Sequence, residues 1–295
     1  MSKFTHILRS CKNDLTSTNN FQYPTSGMVE CDDFDPEPTC GGGLHGFLLG
    51  VGDINTTTFD DSINDKWLII KVLKKDIVEI TENNGGKVKF KKGEVVKVGN
   101  LFEATKYLSQ VEDLKGLPVI GGTSINKAAN SVAISGWKGT SISGDKGTST
   151  SGDEGISISG GEGTSISGDY STSTSGWKGT STSGFESTSA SGNHGTSTSG
   201  LEGTSTSGYY GTSTSGWKGT SISGDYGTST SGDFGTSTSG FEGKVKSGES
   251  GVLCFILYIN GRKMILSGNI GEGGLSPNVF YAHSKDGRSF VMAEG

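Results

Sequence analysis

The chain has 295 residues, enough for two or three domains, and a net charge of −6 from 25 basic and 31 acidic side chains. No basic block could track a phosphate backbone, and the repeat carries charges of both signs, so neither nucleic-acid binding nor mimicry of DNA is expected. Glycine stands at 50 residues, roughly twice the average share of about 7%, and the absence of a Gly-X-Y period excludes collagen and leaves low complexity or a repeat.

The first fifteen residues carry Lys3, Arg9, Lys12 and Asp14 and show no apolar core, so they do not read as a secretory signal. Cys11, Cys31, Cys40 and Cys254 include no C-x-x-C pair, and free thiols are expected. Cys40-Gly-Gly-Gly-Leu-His45 is the one local motif with chemical content. A nucleophilic Cys40/His45 pair in a glycine-bent loop is one reading; a structural turn with a packed histidine is the plainer one. The cysteine spacing fits no usual zinc pattern, so no metal site is expected. There is no phosphate-binding glycine loop, and no cofactor is expected.

Trp67–Val72 reads as a buried strand, with further strands over Lys87–Phe90 and Glu94–Val98 and a turn at Asn84-Gly85-Gly86. A helix capped by Asn100 runs from Leu101 to about Leu114. Residues 1–116 therefore form a mixed α/β head, and Pro118 with Gly121-Gly122 marks the entry to a different regime.

From Trp137 to Gly248 the sequence falls into fourteen consecutive octads, of which WKGTSISG, DKGTSTSG and DEGISISG are the first three. With Trp137 at position 1, position 8 is always glycine and position 7 always serine; position 5 is serine except at Val245, and position 3 is glycine except at Ser171 and Ser187. Two worn copies, Gly121–Ala128 and Ala129–Gly136, precede the run. Glycine, serine and threonine are poor helix formers. A flexible linker has no reason to hold phase over 112 residues or to confine Trp, Phe and Tyr to positions 1 and 2 of the intact octads.

Alternate residues of a strand face opposite sides. The last octad, FEGKVKSG, puts Lys244 and Lys246 at positions 4 and 6 around Val245. Lysine is costly to bury, so positions 4 and 6 face out and positions 3, 5 and 7 face in. The worn copies are expected to follow, with Ile125 and Ala133 inward. An interior of Gly and Ser needs two walls closer than the usual ~10 Å sheet spacing, with serine hydroxyls bonding along their own ladders. Eight residues cannot close a two-walled coil, whereas sixteen can. Residues 121–248 thus predict a β-solenoid of eight coils, ~38 Å long at ~4.8 Å per coil. One face gathers Thr148/Thr150, Thr164/Ile166, Thr180/Thr182, Thr196/Thr198, Thr212/Thr214 and Thr228/Thr230, and the other carries Ile142, Ile156, Ile158, Ala190 and Ile222 among its threonines.

Residues 249–295 read as an all-β cap. One hairpin turns at Asn260-Gly261 between Val252–Ile259 and Arg262–Leu266, and a second at Asp286-Gly287 between Asn278–His283 and Ser289–Ala293. A cap shields the open edges of the last coil. Leu253, Phe255 and Leu257 alternate with Cys254, Ile256 and Tyr258, so both faces of that strand ask for cover, and pairing with a second copy is expected. The longest apolar run, Val252–Ile259, is far below the ~20 residues that span a bilayer. No membrane association and a cytoplasmic location are expected.

Octads such as DYGTSTSG, with paired Thr-x-Thr, resemble the repeat of bacterial ice-nucleation proteins. That resemblance implies a solenoid of sixteen-residue coils with outward Thr-x-Thr ladders, and it suggests ice or ordered water as a partner. It covers the repeat alone, and this chain departs from the pattern. The family has many more coils and a tyrosine ladder, whereas aromatics at position 2 here are Tyr170, Tyr210, Tyr226 and Phe234. The flanking segments CGGGLHG, DKWLIIKV and GGKVKFKKGEVVKVG are similar to uncharacterised bacterial and phage proteins carrying this repeat type, which implies no established activity.

The leading expectation is a mainly β, non-enzymatic scaffold or binding protein. It is a two-walled solenoid with an α/β head and a β cap, presenting its threonine ladder or its decorated turns to a protein partner. Ice binding through the same ladder is the first alternative. An enzymatic or anti-defence head with the solenoid as spacer is the second.

Overall fold

The computed structural model describes residues 2–54, 66–81 and 85–294. The chain divides into two compact units, Met1–Ser124 with Ile134–Thr140, and Ile125–Ala133 with Ser141–Gly295.

In the first unit the strands are β1 (Phe4–Cys11), β2 (Gly27–Glu30), β3 (Leu44–Leu48), β4 (Lys66–Leu73), β5 (Val78–Glu79), β6 (Lys87–Phe90) and β7 (Lys92–Gly99). They form one sheet in the order β2-β7-β4-β1-β3-β6-β5, with every neighbouring pair antiparallel. β4 is covered on both faces, which is why Trp67–Val72 is a continuous apolar run. Leu68, Ile70 and Val72 join one cluster with Ile7, Val88, Phe90 and Val95. Trp67 and Ile69 join the other with Leu8, Phe47, Ala104 and Leu108. Helix α1 (Leu101–Val111) supplies Ala104 and Leu108. Its start is a capping box: the Asn100 side chain accepts from the Glu103 amide, and Glu103 reaches back to the Asn100 amide.

The opening segment forms β1, which lies mid-sheet between β3 and β4 with Ile7 and Leu8 fully buried. One expectation for this unit is corrected. His45 sits within strand β3 instead of in a glycine-bent loop, and only Cys40 lies in the loop before it. Asn84 of the expected turn falls outside the described residues.

The repeat is a β-solenoid of about eight coils over residues 123–255. Alternate octads enter alternate sheets, and each strand pairs in parallel with the strand sixteen residues on, as in Thr180↔Thr196 and Thr172↔Thr188. The parity holds throughout the intact octads: Ser149, Ser165, Ser181, Ser197, Ser213 and Ser229 are completely buried, whereas positions 4 and 6 face solvent.

The first worn copy is out of phase. The Thr140 amide donates to the Gly122 carbonyl, 140 − 122 = 18 residues back, where Thr164 donates to Gly147, 164 − 147 = 17 back. One extra residue in the first coil flips that strand, because the side-chain period is two. Ser124 therefore turns inward and accepts from the Ile134 amide at 3.2 Å, while Ile125 is 56% exposed. Ala133 is inward, as expected.

The hydroxyl bonding also differs from a simple ladder. Ser149 Oγ donates to Ser141 O, Ser157 Oγ to Ser149 O, and Ser165 Oγ to Ser157 Oγ, at 2.6, 2.7 and 2.9 Å. Partners eight residues apart lie on opposite walls, so these position-5 serines stitch the two sheets together, whereas the hydroxyls of Ser189, Ser197 and Ser205 have no partner. Bonding along a ladder occurs at position 7 in the last coils, between Ser223 and Ser239 and between Ser231 and Ser247, both at 2.9 Å.

Val252 continues the octad phase: Val252–Phe255 pairs in parallel with Thr236–Ser239, and Leu253 and Phe255 take the slots serine filled before. The hairpins form as expected. Ile259 pairs with Arg262 around Asn260-Gly261, both with positive φ (51° and 73°), and Tyr281–His283 pairs with Phe290–Met292. The cap core joins Val245, Leu253, Phe255, Leu257, Leu275 and Tyr281. Within the single chain the other face of the first hairpin is exposed, Tyr258 to 69% and Ile265 to 67%.

Candidate functional surface

The threonine surface is built from its turns outward. Every position-2 residue from Lys138 to Ser250 is left-handed, with φ between 45° and 57°. Such a conformation costs an L-residue roughly 1–2 kcal/mol. From Lys146 to Phe234 each is compensated by a bond to the next coil, such as Lys146 N–H to Gly161 O at 2.8 Å and Tyr210 N–H to Asp225 O at 2.9 Å. Position 1 adds a side-chain clamp. Oδ1 of Asp153, Asp169, Asn193 and Asp225 accepts from the backbone amide sixteen residues on, at 3.0, 2.7, 3.0 and 2.8 Å. The recurrent Asp or Asn at position 1 is the sequence signal for this clamp. At position 3 glycine sits tightly, with side chains only at Ser171 and Ser187: a Cβ on Gly195 would lie 2.7 Å from Ser191 Cβ and 2.8 Å from the Gly179 carbonyl.

These devices bring together the residues singled out from sequence. Thr148, Thr150, Thr164, Thr180, Thr182, Thr196, Thr198, Thr212, Thr214, Thr228 and Thr230 lie on one sheet in two straight rows. The rows run Thr148-Thr164-Thr180-Thr196-Thr212-Thr228 and Thr150-Ile166-Thr182-Thr198-Thr214-Thr230, interrupted by Ile166 alone. Spacings follow from strand geometry, ~4.8 Å between coils and ~6.6 Å along a strand. β-Branching restricts the rotamers of each threonine, and each offers one hydroxyl and one methyl. Lys244 and Lys246 close the rows; Lys246 Nζ sits 4.3 Å from the Phe280 ring centroid and Lys244 Nζ donates to the Glu294 carbonyl.

The turns are decorated but irregular. Lys178 and Lys218 lie over Trp177 and Trp217 at 4.4 and 4.0 Å. His194, Tyr210 and Tyr226 stack with ring centroids 5.2 and 4.8 Å apart.

In the head, Cys40 is exposed and no hydrogen bond joins it to His45 among the described residues. Burial, then the positive charges of Arg9, Lys89 and Lys87, hold the His45 imidazole down to about 4. A thiolate–imidazolium pair needs the opposite electrostatics. No group of three or more His, Cys, Asp or Glu side chains among the described residues is placed to hold a metal. No helix among them is long and apolar enough to cross a membrane.

The repeat is similar to bacterial ice nucleation proteins. The chain is 33% identical over 103 residues to one from Pseudomonas fluorescens, covering 35% of this chain and 8% of that protein. It is 33% identical over 104 residues to one from Pseudomonas syringae, covering 35% and 9%, and 28% identical over 102 residues to one from Pantoea ananas, covering 35% and 10%. No protein-family model matches the chain, and no solved structure matches it. The chain thus carries an ice-nucleation-like repeat folded as a β-solenoid, and it spans a tenth or less of the length of these relatives.

Proposed function

We propose that the threonine sheet is an ice-binding surface, and that the chain adsorbs to ice instead of nucleating it. The observation that carries this reading is the in-register double row of threonines over six coils. Each hydroxyl can donate and accept, and each methyl confines the waters beside it. A rigid array orders those waters without first losing side-chain entropy of its own. A protein-binding scaffold would not need one residue type in eleven of twelve slots. The small area of eight coils favours adsorption over nucleation.

The test is thermal hysteresis and ice-crystal shaping with the purified chain. Hysteresis is expected, and Thr196→Lys, in the middle of the array, abolishes it. Absence of both hysteresis and shaping from the wild-type chain removes the proposal.

A further inference from the structure

We propose that the head unit binds a small hydroxylated oxyanion, of the α-hydroxy carboxylate class, in a cavity lined by Arg9 and His45. The cavity measures about 80 Å³ and is also lined by Ser17, Tyr23, Cys31 and Asp33. That exceeds the ~10–15 Å³ needed for one water and is about half the ~150 Å³ of a cavity that takes benzene. A ligand of about five non-hydrogen atoms is the right size.

Two of the lining residues carry a buried polar atom with no hydrogen-bond partner: Arg9 Nε and His45 Nε2. Leaving such an atom unpaired costs about 1–3 kcal/mol, more for a charged group, so the pair asks for a ligand. Their chemistry differs, and the difference defines that ligand. Arg9 is always protonated and can only donate. It projects from β1 at a position whose neighbours in phase, Ile7 and Cys11, are core residues, and its guanidinium carbon lies 6.0 Å from the Tyr23 ring centroid.

His45 is the acceptor. Its Nε2 is the buried ring nitrogen without a partner, and we assign the ring proton to Nδ1. With the ring neutral, Nε2 keeps a bare lone pair. An ionised ligand oxygen therefore meets Arg9, and a ligand hydroxyl donates to His45. The surroundings suit a negative charge. Lys89 pairs with His45 across the strands and is fully buried, its Nζ donating to the Gly41 carbonyl at 3.2 Å. Asp33 is the carboxylate of the lining, and it is exposed.

The experiment is an NMR titration of the full chain with glycolate, acetate and chloride at constant ionic strength, following the Arg9 Nε–H and His45 ring resonances. Glycolate is expected to saturate with a Kd on the order of 1 mM, within the range open to a ligand of this size. Acetate has the charge but no hydroxyl and binds about tenfold more weakly; chloride does not saturate. Arg9→Gln abolishes glycolate binding, and His45→Phe brings glycolate and acetate to about equal affinity. Failure of glycolate to saturate means a solvent-filled cavity and overturns the proposal. So does equal affinity for glycolate and acetate in the wild-type chain, a comparison that needs no variant to fold.

Discussion

The two units bury their interiors with opposite materials. The head sheet encloses Ile7, Leu8, Leu68, Ile69 and Ile70 without exposure. Its stability is of the ordinary kind, roughly 25 cal/mol for each Å² of apolar surface removed from water. The repeat encloses serine after serine, with little apolar area to remove. Its cohesion comes from backbone ladders, from hydroxyls that cross between the walls, and from contacts too close for any added carbon. Position-7 hydroxyls such as those of Ser199 and Ser207 have no protein partner. A regular exterior is thus obtained by making the interior as small and uniform as side chains allow. An irregular apolar core supports a pocket and mixed chemistry instead.

That contrast can be broken or sharpened by substitution. Ile70→Ala in the head should cost about 3–4 kcal/mol, the range for a large buried aliphatic group cut to a methyl, read as a lower denaturation midpoint. Ser197→Leu should cost about 2–3 kcal/mol by the opposite mechanism, overpacking. Its signature is faster amide exchange in the strands around Thr196–Thr198 while β1 and β4 keep their protection. If Ser197→Leu is neutral, the walls are not in contact and the contrast fails.

Acid should act on the head next. The fold depresses the His45 pKa to about 4 from the ordinary 6.5. Above 6.5 the ring is neutral in both states and its contribution is complete. Between 6.5 and 4 the unfolded chain takes up the proton first, so stability is lost as pH falls through that window. The loss is on the order of 1–2 kcal/mol after allowance for partial exposure, measured as the difference between the wild-type chain and His45→Gln. A difference that does not change between pH 7 and pH 4 contradicts it. The smallest effect is on the outer face. Thr196→Lys, which should end any ice activity, should change stability by less than about 0.5 kcal/mol.

Legibility from sequence followed the same division. Lysines at Lys244 and Lys246 betrayed the outward parity, and that parity then placed every threonine of the two rows. Asn260-Gly261 marked its hairpin and Asn100 its helix, because both are local devices. β1 was missed because Ile7 and Leu8 are only two apolar residues among polar ones, and its central place depends on partners as distant as Lys66–Leu73. The phase slip at Ile125 was missed because a worn octad reads equally well one residue along. Cross-wall bonding of the serines was missed because wall spacing, unlike parity, is a tertiary property. The cavity around Arg9 and His45 could not be read at all, since its lining comes from separated segments of the chain.

Pairing at an offset of sixteen has a genetic corollary. Removing or inserting sixteen residues preserves both faces, whereas losing a single octad transposes everything downstream, sending threonine rows to the isoleucine side and the Val252 strand to the wrong sheet. Trp-Lys recurs at a spacing of forty residues, an odd number of octads, so the strands after Trp177 and Trp217 lie in different sheets. Such a gene can survive a half-coil recombination only while both faces share nearly the same motif, so divergence of the two surfaces is held back by the very mechanism that lengthens the array.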